Sequence, residues 1–86
     1  MSAVQFENEI CWDGNSLSVW ATVNGSRIFC EIPRSTIHEV RLFGDAISRE
    51  IARDRAEIFD RLRPAVVAKI ARTRNGSIRL HPSDLS

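Results

Sequence analysis

Cys11, Cys30, His38 and His81 are the side chains in this sequence whose types suit a nucleophile, a general base or a soft metal ligand. Their spacing supplies none of the arrangements that such chemistry uses. The chain contains no Cys-x-x-Cys pair, no His-Glu-x-x-His helix, no Gly-x-Ser-x-Gly elbow and no phosphate-binding glycine loop. A thiol becomes a nucleophile when a nearby cation lowers its pKa. Cys11 has no adjacent His or Lys, and Cys30 falls on a strand face that reads as core. His38 is expected on the exposed side of a short helix. The reading is therefore not an enzyme, with no catalytic residue, no metal site and no cofactor.

Residues suited to binding are more prominent. Arg61, Arg63, Lys69, Arg72, Arg74 and Arg79 occur within residues 61–79 with no acidic residue among them, whereas residues 1–33 hold Glu7, Glu9, Asp13 and Glu31 against Arg27 alone. At about 100° per residue, Arg61, Lys69 and Arg72 cluster on the helix face opposite Val66 and Ile70, where an ordinary solvated face belongs and where a polyanion or nucleic acid would bind. Arg63 and Arg74 fall nearer the apolar stripe, so their guanidinium groups must snorkel or find a carboxylate such as Asp84 or an early Glu. The net charge of +1 and pI near 7.9 fall short of the pI above about 9 that marks a dedicated nucleic-acid binder. Residues of alternating sign from Arg49 to Asp60 also dilute the field. Nucleic acid is the secondary reading.

The leading candidate is aromatic. Leu17 to Val23 and Ser26 to Ile32 are alternating runs joined by Asn24-Gly25, a pair suited to the positive φ angles of a type I′ turn. This turn sets Val23 opposite Ser26, Ala21 opposite Ile28, Val19 opposite Cys30 and Leu17 opposite Ile32 on one apolar face. Thr22 with Arg27, Trp20 with Phe29 and Ser18 with Glu31 occupy the other. Trp20 and Phe29 then form an apolar island among polar neighbours, with Arg27 the nearest positive charge. Two arrangements are open. Val4 and Phe6 fold over the island as a second small core, or the island is exposed and binds a protein, for which a homodimer through the sheet face is the simplest form.

Glu9 to Trp12 reads as a short strand ended by Asp13-Gly14-Asn15, with Ile10 and Trp12 inward and Cys11 on the face opposite Cys30, so that no disulfide can join the two thiols. After Pro33 a short helix is expected, with Thr36 and Glu39 at capping-box spacing, Ile37, Val40 and Phe43 inward and Gly44 as its end. Asp45 is placed to cap a second helical stretch in which Ile47, Ile51, Ile58, Leu62, Val66 and Ile70 mark one buried face. Pro64 interrupts that stretch and predicts a kink or break around residues 61–63. Asn75-Gly76 ends the helix, and a last strand puts Ile78 and Leu80 inward. The expected fold is α+β: a small antiparallel sheet of an N-terminal strand, a β-hairpin and a C-terminal strand, covered on one face by two or three helices, in a single domain of residues 1–86.

Val19-x-Ala21-x-Val23-Asn24-Gly25, Ile28-x-Cys30-x-Ile32, Phe43-Gly44, Phe59-x-x-x-Arg63-Pro64, Ile70-Ala71 and Ile78-x-Leu80-x-x-Ser83-Asp84, in that order, resemble the small bacterial family called domain of unknown function 1488. The resemblance spans nearly the whole chain. Pro33 where a serine cap is expected, and Trp20 where phenylalanine is frequent, depart from it. The resemblance implies a compact α+β domain of a bacterial cytoplasm and implies no activity. The apolar runs of three or four residues are far short of the ~20 that span a bilayer, and the acidic N-terminus carries no import signal. The expectation is a cytoplasmic protein that binds an unidentified protein partner and no membrane.

Overall fold

The computed structural model describes residues 4–73 and 76–85, so expectations at Arg74 and Asn75 lie outside the described residues. The strands are β1 (Val4–Phe6), β2 (Cys11–Trp12), β3 (Ser16–Val23), β4 (Ser26–Pro33) and β5 (Ser77–Arg79), and the helices are α1 (Arg34–His38), α2 (Ser48–Arg53) and α3 (Arg55–Arg72). They form an α+β fold. The β3–β4 hairpin has the register expected from its turn, from Val23 opposite Ser26 to Leu17 opposite Ile32. Asn24 and Gly25 both take positive φ, 52° and 83°. β1 and β2 share the other edge of β3: β1 runs antiparallel along Ala21 to Val23, and β2 along Leu17 and Ser18.

The fifth strand reaches β4 only after a helical crossover and joins it parallel, Cys30 opposite Ile78, so the sheet is mixed where a wholly antiparallel one was expected. All the helices lie on one face. Ile37 of α1, Ile51 of α2, and Ile58, Phe59, Leu62, Val66 and Ile70 of α3 pack against Leu17, Val19, Ala21, Ile28, Cys30, Ile32 and Ile78 of the sheet. The shortest dimension of the molecule is 18 Å, room for one sheet and one helical layer. No helix among the described residues is long and apolar enough to cross a membrane.

Five local expectations are corrected. α3 runs unbroken through Pro64, and the chain instead bends at Asp54, whose φ of −102° and ψ of 19° separate α2 from α3. The apolar stripe of Leu62, Val66 and Ile70 on the core side outweighs the hydrogen bond that Pro64 removes on the solvent side. Thr36 is not a cap: α1 starts from Pro33 without a side-chain cap, and the Thr36 hydroxyl is buried and donates to the carbonyl of Leu80 at 2.6 Å. α1 also ends at His38 rather than at Gly44, with a 3₁₀ turn at Arg41–Phe43 between. Asp45 caps nothing in α2. That helix begins at Ser48, the Glu50 carboxylate accepts from the backbone amide of Ile47 at 3.0 Å, and Ile47, expected inside, is 49% exposed.

Candidate functional site

Among the described residues, no helix lies on the opposite face of the sheet. Trp20 and Phe29, directly opposite in the β3–β4 ladder, meet edge-to-face there with ring centroids 5.0 Å apart and planes at 60°. Such a pair contributes about 0.5–1.5 kcal/mol beyond area burial, and it fixes both rings on rigid strands. Trp20 remains 38% exposed. The alternative in which Val4 and Phe6 cover the pair is excluded by the register of β1: Phe6 lies opposite the inward Ala21 and Val4 opposite the inward Val23. Phe6 therefore points to the helix side, where it meets Phe59 edge-to-face with centroids 4.9 Å apart. The N-terminal segment extends the sheet in its own plane.

Charge rims the aromatic pair. The Arg27 guanidinium stands 4.3 Å from the centroid of the Trp20 ring and forms an ion pair with Glu7 at 2.7 Å, so one cation is held between a π face and a carboxylate. On the other side of Phe29, Arg79 of β5 pairs with Glu31 at 2.8 Å, and Ser16 donates to the second oxygen of Glu31 at 3.3 Å. Glu7, Glu9, Cys11, Ser18, Val19, Trp20 and Phe29 enclose a recess of about 220 Å³ on this face. That is smaller than the roughly 300–1,000 Å³ of a drug-sized ligand site and fits a single side chain. Neither Arg27 nor Arg79 forms part of its wall.

Of the candidate residues read from the sequence, Trp20, Phe29 and Arg27 come together on this face. Cys11 was placed on this face but not among its binding residues, and Glu7 and Glu9 were not read as part of it, although a period of two was available to find them. Phe6, Ile10 and Trp12 pack against the core, so the intervening odd positions turn outward. Cys11 is exposed, and Cys30, on the helix side, is buried, with burial pushing its thiol up to about 11. The two are free thiols on opposite faces.

Arg61, Lys69 and Arg72 do share α3, but they do not form a free cationic surface. Asp84, in the 3₁₀ turn Pro82–Leu85, accepts from Lys69 at 2.8 Å and from the backbone amide of His81 at 2.8 Å, and lies 3.6 Å from Arg72. These donors, Lys69 first, hold the Asp84 carboxyl below the ordinary carboxylate range. The cluster ties the C-terminal turn to α3. Arg61 is exposed and makes no ion pair among the described residues. Arg63 pairs with Asp60 rather than with Asp84 or an early Glu, at 3.3 Å, and lies 5.5 Å from the centroid of the Phe59 ring.

The groups suited to catalysis are dispersed. His38 is not on an open surface as expected: it is half-buried, with Nδ1 3.0 Å from the Phe43 carbonyl and Nε2 accepting from Arg34 at 3.2 Å, so it braces the turn after α1. Among the described residues, no three His, Cys, Asp or Glu side chains converge where they could hold a metal ion. Comparison of the chain with protein-family models, curated proteins and solved structures finds no match in any of the three.

Proposed function

We propose that this protein is a small, non-enzymatic interaction module that binds another protein through the uncovered face of its sheet, with Trp20 and Phe29 as anchors and Arg27 beside them. The observation that carries this reading is the partly exposed Trp20, packed edge-to-face with Phe29 on a face that neither a described helix nor the N-terminal strand covers. Aromatic rings already ordered on strands lose little entropy when a partner covers them, which is why such residues dominate binding energy at interfaces. The paired charges around them resemble the polar rim of an interface. Membership of the domain of unknown function 1488 family and a cytoplasmic location belong to the same reading, and the location is supported by two thiols on opposite faces of one sheet.

The alternative is polyanion or nucleic-acid binding through Arg61, Lys69 and Arg72. Its support is their common helix, and it is the weaker reading because Asp84 engages two of the three cations. A pull-down from bacterial lysate separates the two. Wild type, Trp20→Ala and an Arg61/Lys69/Arg72 triple-alanine variant are compared with and without nuclease, and each variant is first checked for folding by circular dichroism. The proposal expects a protein retained by the triple variant and lost with Trp20→Ala. Nuclease-sensitive recovery lost with the triple variant would replace it.

A further inference from the structure

We infer that the recess beside Trp20 receives the guanidinium of an arginine from an extended basic segment of the partner protein, an inference that rests on the sheet face being the docking surface. The walls point to a cation. Trp20, Phe29 and Val19 line the recess together with Glu7, Glu9, Ser18 and Cys11, and no Lys or Arg is among these residues. Glu7 is paired with Arg27 outside the recess, but Glu9 meets no cation among the described residues, its side-chain contact being the Cys11 thiol at 4.0 Å.

Covering this recess with a neutral anchor would take the Glu9 carboxylate out of water without a partner, which is costly, whereas a cation would neutralise it as it is buried. Arg27 shows the same recognition within the chain, since its guanidinium uses a carboxylate and the Trp20 ring together. A planar guanidinium both stacks on an aromatic ring and forks onto a carboxylate, so arginine suits these walls better than lysine does. The volume of about 220 Å³ limits the occupant to one side chain. An acidic segment is disfavoured by Glu9, which has no ion pair among the described residues, whereas Glu7 and Glu31 are neutralised by Arg27 and Arg79.

The test is an NMR titration of the ¹⁵N-labelled full chain with acetyl-Gly-Ser-Arg-Ser-Gly-amide and with the same peptide carrying Leu or Glu in place of Arg. The expected result is saturable shifts at the Trp20 indole and at the Glu9 and Ser18 amides with the Arg peptide and none with the Glu peptide. Glu9 is exposed, so Glu9→Gln keeps the fold, and it is expected to weaken the Arg peptide by about 1.5- to fivefold, the range of an exposed ion pair. No saturable shift with the Arg peptide, an affinity unchanged by Glu9→Gln, or a Leu peptide that binds as tightly as the Arg peptide would each overturn the inference. So would a dimer of this chain that closes the recess without a cation in it. In the last two cases the interaction reading of the face would stand, whereas a partner that is indifferent to Trp20→Ala would remove both.

Discussion

Replacing Thr36 with Val tests how the C-terminal strand is held on the sheet. Thr36 and Leu80 are both fully buried, the threonine hydroxyl donates to the Leu80 carbonyl at 2.6 Å, and the Leu80 amide donates to Glu31 at 2.9 Å. Valine exchanges the hydroxyl for a methyl group of nearly the same volume, so no cavity opens. What is lost is the donor to a buried carbonyl, and leaving that carbonyl unsatisfied costs about 1–3 kcal/mol. The extra buried methyl returns about 0.8 kcal/mol. The expected net loss is centred on about 1 kcal/mol and reaches about 2 kcal/mol, which for a domain of this size lowers Tm by roughly 4–16 °C. Urea unfolding should show a lower midpoint with an unchanged slope, and hydrogen exchange at the Leu80 amide should accelerate by more than the global loss accounts for. A change under about 0.3 kcal/mol with unaltered Leu80 exchange would refute the role of Thr36 as the latch between α1 and the C-terminal strand.

Pro64→Ala should stabilise the protein by about 2 kcal/mol in urea unfolding, because the tenth position of an unbroken helix regains an amide donor for the Asp60 carbonyl; a destabilised variant would contradict that geometry. Asp84→Asn should cost about 1 kcal/mol at neutral pH, read in the same assay. Its pH dependence has a fixed sign. The Asp84 carboxyl is held below its ordinary value of 3.8, so its contribution is complete above about pH 4 and is lost as the pH falls through the lower folded value. The wild-type and Asp84→Asn stability curves should therefore converge in acid, and parallel curves would count against the Lys69–Asp84 pair.

The hairpin was legible because Asn24-Gly25 admits one tight turn and side chains alternate strictly, so a single register puts Leu17, Val19 and Ala21 inside and Trp20 with Phe29 outside. Thr36 was misread because a threonine three residues before a glutamate suits a capping box and a buried latch equally well; the carbonyl that decides between them is 44 residues away. The bend at Asp54 has no glycine or proline to announce it. It is fixed by long-range contacts, Arg55 to the Ile10 carbonyl at 2.8 Å and the Trp12 indole to Ser48 at 2.8 Å. Val4 and Phe6 were read as a possible cover for Trp20 and Phe29 and not as a strand, because only the free edge of β3 shows that they extend the sheet rather than lie across it. The acidic wall of the recess went unread because Glu7 and Glu9 lie between strands: of residues 6–12, only Phe6 in β1 and Cys11 and Trp12 in β2 are in strands.

The central claim is that the open sheet face is where a partner binds, and Cys11 reports on it directly, since it lines the recess and is exposed while Cys30 is buried. The measurement is the rate of Cys11 alkylation by iodoacetamide, followed by intact mass, in the isolated protein and in the complex recovered by pull-down. The account predicts prompt addition of a single label to the isolated protein, slowed at least about tenfold in the complex, as complete coverage of a surface thiol requires. Equal rates in the free protein and the complex would place the partner elsewhere on the molecule and contradict the account.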